Sequence, residues 1–186
     1  MAITTYTAGE VLTAASLNNN FASGGLQLVK TQTIGSAVSS VTVTGAFSST
    51  YDNYRIIVSG GVGSAATGCD LTLGSTATGY YYFFITGAFN AGTITGVNGN
   101  NATKFDAVVQ QGTGMISGVI DLLGPNLAKN TVLSSVATRS ATGASGIIVS
   151  SAGYLNDTTQ YTAFTLTTIT GTLTGGTIKV YGYVNS

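Results

Sequence analysis

The chain has 186 residues, of which only 6% are charged; six Lys and Arg balance six Asp and Glu, and there is no His, no Trp, one Cys and one Pro. Six scattered cations are too few to neutralise a phosphate backbone, which excludes a nucleic-acid binder. The absence of His excludes Ser-His-Asp or Cys-His catalysis and His-ligated metal, and a single Cys builds neither an intrachain disulfide nor a thiolate metal site, so no cofactor or metal is expected.

Thr, about one residue in six, and Gly, 26 residues, take the place of charge. Thr is β-branched and favours strands. The composition therefore points to an all-β chain with hydroxyl-rich outer faces. Strand edges are normally guarded by Lys, Pro or inward charge. Those guards are scarce, which predicts that edges and faces are covered by other subunits. No basic and apolar leader opens the chain, and its longest strongly apolar run, Tyr80 to Ile85, is too short to span a bilayer. The expectation is synthesis in a cytoplasm without export.

Residues 1–25 differ from the rest. Thr13 is an N-cap type, and Leu17 and Phe21 lie four apart, on one face of a short helix. A helix of this length is marginal alone and needs a surface to pack on. Ala22 to Gly25 forms a small, flexible break.

From residue 26 to 186 the pattern is strands between Gly, Ser, Thr and Asn. Val41 to Thr44 alternates apolar and polar; Tyr54 to Ser59 and Asp70 to Leu73 follow. Tyr80 to Ile85, Phe105 to Val109 and Met115 to Leu123 come next, before a turn at Gly124-Pro-Asn126. Thr131 to Val136 and Ile147 to Val149 are further strands. Tyr161 to Thr167 should turn Phe164 and Leu166 inward, together with Thr168, and Thr177 to Val184 should set Ile178, Val180 and Gly182 opposite Thr177, Lys179, Tyr181 and Tyr183. Nine or ten short strands without intervening helices predict an antiparallel β-sandwich, jelly-roll-like, preceded by a short extended or helical segment.

Two features carry chemistry. Six carboxylates are present, Glu10, Asp52, Asp70, Asp106, Asp121 and Asp157, and a glycosidase would need two of them facing each other at roughly 5–9.5 Å. Asp52, Asp106 and Asp157 sit in turn-like settings, and Asp70 and Asp121 border or interrupt strands; with His also missing, no catalytic residues are assigned and the chain is read as non-enzymatic. The second feature is Tyr80-Tyr-Tyr-Phe-Phe84. In a strand, Tyr80, Tyr82 and Phe84 share one face while Tyr81 and Phe83 share the other. One aromatic face can fill a core and the other needs separate cover. Tyr80, Tyr81 and Tyr82 are thus candidates for a subunit interface or for a stacking platform that takes a glycan.

The stretch from Thr4 to Phe21 resembles the amino-terminal segment of tailed-bacteriophage fibre and appendage proteins, through Tyr6, Gly9, Leu12, Thr13, Ala14, Leu17, Asn18, Asn20 and Phe21. Tyr51-Asp-Asn-Tyr-Arg-Ile56, Leu71-Thr-Leu73, Gly79-Tyr-Tyr-Tyr82 and Gly176-Thr-Ile-Lys-Val-Tyr-Gly182 are similar, in this order, to segments of β-rich phage virion proteins. The resemblance implies a virion structural protein, assembled in the host cytoplasm and usually a homotrimer. In it Tyr6, Leu12, Leu17 and Phe21 would dock residues 1–25 to another virion protein, and the β-domain would face a host surface glycan. At 186 residues the chain lacks the long shaft of a full fibre. A short tail fibre or receptor-adhesion appendage is the first expectation, and a capsid decoration protein that stabilises the head shell is the alternative. Neither nucleic acid nor membrane is expected as a partner.

Overall fold

Alternation of apolar and hydroxyl-bearing residues builds strand after strand in this chain, and glycines at positive φ turn the corners between them (Gly45, Gly74 and Gly124 among them). A computed structural model describes residues 7–11, 13, 14, 25–140 and 146–185. It holds twelve strands: β1 (Leu26–Thr33), β2 (Ser40–Val43), β3 (Asn53–Gly63), β4 (Thr67–Leu73), β5 (Tyr80–Ala88), β6 (Ile94–Ala102), β7 (Phe105–Gly112), β8 (Met115–Leu123), β9 (Thr131–Arg139), β10 (Ile147–Leu155), β11 (Phe164–Thr168) and β12 (Leu173–Tyr183). All pairings are antiparallel.

Two layers emerge from the pairings. One sheet runs β1-β12-β3-β8 and the other β2-β11-β4-β7, joined by the short β7–β8 hairpin. Successive strands from β1 to β4 alternate between the layers, as do β7 and β8, and β11 and β12; this is the eight-stranded jelly-roll arrangement. The hairpin-like pairs β5–β6 and β9–β10 are added to it. They extend the first layer beyond β8, giving the continuous order β1-β12-β3-β8-β9-β10-β5-β6. The expected all-β sandwich is therefore present.

The core lies between the layers. Tyr54, Ile56, Ile120, Leu122, Leu133 and Leu155 of the large sheet meet Val43, Leu71, Leu73, Phe105, Phe164 and Leu166 of the small one, all fully buried. Phe164, Leu166 and Thr168 do face inward, as do Ile178, Val180 and Gly182. Tyr54 joins the core to a loop: its hydroxyl accepts the Ser48 N–H and donates to the Ser48 carbonyl, both at 2.8 Å. Its ring meets Phe47 edge to face, and Phe47 stacks on Phe164. Gly182 is required by packing, since a Cβ there would lie 2.3 Å from the Tyr51 ring.

Two strands go beyond those expected, β1 and β6. Both are outermost strands of the large sheet. β6, Ile-Thr-Gly-Val-Asn-Gly-Asn-Asn-Ala, is mostly exposed and carries little of the apolar patterning that marks a strand. Tyr6, Leu12, Leu17 and Phe21, the expected docking residues, lie outside the described residues.

Candidate functional site

The aromatic strand β5 divides its side chains as a pleated strand must. Tyr80, fully buried, and Tyr82, 8% exposed, point into the core. The Tyr80 hydroxyl accepts the Leu73 N–H at 2.9 Å and donates to the Thr76 carbonyl at 3.2 Å. Burial pushes this hydroxyl up to about 12, so it stays a protonated donor. The Tyr82 hydroxyl donates to Asp106 at 2.6 Å, and its ring stacks on Phe84. Gly99 of β6 makes room for that ring; a Cβ there would lie 2.1 Å from it. Tyr80 and Tyr82, two of the three candidate interface or glycan residues, are therefore core residues, and theirs is the aromatic face that fills the core. Only Tyr81 turns outward, because side chains alternate along a strand.

Outside, Tyr81 lies flat on Tyr154 of β10, with ring centroids 5.1 Å apart and planes 13° from parallel. The two are cross-strand partners in the β5–β10 register. With Phe83, Val132, Ala152 and Asn130 they line an open groove of ≈ 690 Å³. Phe83 is 54% exposed.

The groove is one end of a larger surface. The registers align outward residues in rows that run across the large sheet. One row is Lys179, Ile57, Val119, Val136, Ser150 and Ile85. The next is Tyr181, Arg55, Asp121, Ser134, Ala152 and Phe83. A third is Tyr183, Asn53, Leu123, Val132, Tyr154 and Tyr81, the Tyr183 end following from its neighbours in the β12 register. Val119, Leu123, Val132, Val136, Phe83, Ile85 and Tyr154 are all exposed.

The charges in the middle of this face neutralise each other. Arg55 grips Asp121 with two hydrogen bonds, Nε to Oδ1 at 2.8 Å and Nη2 to Oδ2 at 2.7 Å. The Tyr183 hydroxyl donates to the same carboxylate at 2.8 Å, and the guanidinium lies over the Tyr183 ring. The Arg55 hydrogen bonds hold the Asp121 carboxyl below its ordinary value, against the effect of burial and with help from Tyr183.

Among the carboxylates, Asp70 and Asp106 come together, both next to Lys104 in the β6–β7 connection. Asp70 is 1% exposed, which shields it from any polymeric substrate. Asp157 closes a local turn instead, accepting the Thr159 N–H at 2.7 Å and the Tyr161 hydroxyl at 2.8 Å. Among the described residues no three His, Cys, Asp or Glu side chains gather as a metal site would require.

The sequence reading reached Tyr81 and missed Tyr154, Val132, Val136 and Val119. The available signal was an apolar residue on the supposed outer side of successive strands, as in Thr131-Val-Leu-Ser-Ser-Val136, where Val132 and Val136 are out of phase with Leu133. Comparison with protein-family models and with curated proteins finds no match for this chain.

Proposed function

We propose that this chain is a non-enzymatic structural subunit of a tailed-bacteriophage particle, a short tail fibre or receptor-adhesion appendage. In this reading residues 1–25 dock it to a neighbouring virion protein, and the β-domain self-associates, as a trimer, through the outer face of its large sheet.

The observation that carries the proposal is that face. The six strands from β12 to β5, at a spacing of ~4.8 Å, and rows from Ser117 to Leu123, at ~3.3 Å per residue, make a face of roughly 500 Å² in plan. That lies in the upper half of the roughly 300–600 Å² spanned by the largest apolar patch of a monomer, and it is over half of the ~800 Å² that one partner gives to a standard interface. Its central ion pair is already satisfied, so a neighbour can cover it without leaving a lone buried charge. The resemblance of residues 4–21 to phage fibre segments supports placing such a subunit in a virion. Continuity of the Tyr81–Tyr154 groove with the apolar rows favours subunit contact over a separate glycan platform.

Two measurements test the reading. Light scattering on the purified protein should give the mass of a trimer, and a stable monomer would refute self-association. Gold-tagged antibody on virions should decorate the tail end. Label spread over the head would replace the fibre reading with shell decoration, and unlabelled particles would remove the virion reading.

A further inference from the structure

In a chain with only six cationic and six anionic side chains, three converge at one point, beside the start of β7. Lys104 Nζ lies 2.5 Å from Asp70 Oδ2 and 4.0 Å from Asp106 Oδ1. The other Asp70 oxygen, Oδ1, accepts the Ala107 N–H at 3.0 Å. Asp106 Oδ2 is held by the Tyr82 hydroxyl. The backbone bends to build this arrangement: the β4–β7 register breaks between Cys69 and Leu71, and Ala107 takes a φ of 55°. That left-handed conformation is strained for a residue with a Cβ, and such strain collects at functional sites.

A permanent ion pair explains this cluster poorly. Taking a carboxylate out of water costs about as much as the pairing returns. Here the carboxylate is buried while its lysine side chain is 40% exposed. A carboxyl carbon sits ~1.2 Å from its oxygen, so Asp70 Cγ is within roughly 3.7 Å of the amine, close to the reach of a near-attack contact.

We propose that Lys104 and Asp70 condense into an intramolecular isopeptide bond, with Asp106 as the proton carrier. The ammonium first passes a proton to Asp70 Oδ2, leaving an amine and a neutral carboxylic acid. Burial raises the Asp70 carboxyl above its ordinary value, against its hydrogen bonds from Lys104 and Ala107, and so helps it take the proton, while the Asp70 hydrogen bond raises Lys104 and opposes the transfer. Nζ attacks Cγ, and negative charge develops on Oδ1, where the Ala107 N–H already points. Asp106 takes a proton from the attacking nitrogen and delivers it to Oδ2. The Cγ–Oδ2 bond breaks, and that oxygen leaves as water. One ammonium and one carboxylate become one amide and one water. No electrons change hands, and Asp106 returns to its starting state. The amide carbonyl keeps the Ala107 N–H, and two charges leave the edge of the core. The bond ties β4 to the start of β7. The proposal is independent of the virion reading.

Intact-mass spectrometry on the full chain tests it. The wild-type protein should be lighter than its sequence by the mass of one water. Trypsin cuts after Lys and Arg, so it should release residues 56–129 as a single segment, uncut at Lys104 and carrying the deficit. Lys104→Arg should have its full sequence mass and be cut at that position. Asp106→Asn should accumulate the uncondensed chain. Wild-type protein at full sequence mass and cut at Lys104 overturns the proposal, as does a water loss that persists in Lys104→Arg. If a variant does not fold, the wild-type tryptic map decides alone.

Discussion

At the scale of single residues, charge is so sparse that each polar contact can be tested by itself. Tyr54 is fully buried, and its hydroxyl makes two hydrogen bonds to the backbone of Ser48. Tyr54→Phe keeps the ring contacts with Phe47 and Tyr51 and removes both bonds. It should cost about 1–2 kcal/mol, read as a lower urea midpoint at unchanged slope. A loss within error would mean that ring packing alone holds the loop from Phe47 to Thr50. Asp121 is a test in pH. Arg55 lowers its carboxyl in the folded state, so the group stabilises the fold above the ordinary carboxylate value of about 3.9, and that contribution disappears as pH falls through the lower folded value. Asp121→Asn should cost about 1 kcal/mol near pH 7, a figure kept small because Arg55 is 36% exposed and water screens the pair. The difference between variant and wild type should shrink below about pH 4. An unchanged difference at pH 2 would mean that shape, not charge, is what Asp121 provides.

At the scale of elements, the large sheet has two faces with opposite duties. The inner face is buried by the small sheet. The outer one presents Val119, Val136 and Ile85 in one row and Leu123, Val132, Tyr154 and Tyr81 in another. Antiparallel sheets that meet water on one side usually alternate apolar inside with polar outside. Here that rule fails over β8, β9 and β10, the central strands of the face. Val136 is the position to test, being 51% exposed and distant from the Arg55–Asp121 pair along β9 by one row. Val136→Lys leaves the core untouched, so its far-ultraviolet dichroism should match wild type. In an interface it would bury an unpaired ammonium, and light scattering should fall from trimer towards monomer mass. An unchanged oligomer would exclude this face as the contact.

At the scale of the whole molecule, much of the architecture was legible because alternation is a local property. Val41, Val43, Phe164 and Leu166 announce their inward face within a few residues, and the turn at Gly124-Pro-Asn126 marks where β8 ends. What stayed hidden depends on long-range pairing. Nothing near Tyr81 says that Tyr154 is its cross-strand neighbour, and nothing near Lys104 says that Asp70 waits across a broken register. β1 and β6 escaped because an outermost strand is buried on fewer sides and carries weaker patterning. The same topology makes a prediction about the amino-terminal residues. The first strand begins at Leu26, and the Gly25 carbonyl accepts the Val184 N–H at 3.1 Å, so the sandwich closes on itself from residue 25 onward. Residues 7–11, 13 and 14 are exposed and add no buried side chain to the core. Removing residues 1–24 should therefore leave a cooperative thermal transition within about 2–4 °C of the full chain, the shift expected for a stability change near 1 kcal/mol in a domain of this size. If residues 1–25 serve for docking, the shortened chain should still form its own oligomer in light scattering and be missing from purified particles. A large fall in melting temperature would make the segment part of the fold, and normal incorporation of the shortened chain would place the docking contact on the β-domain itself.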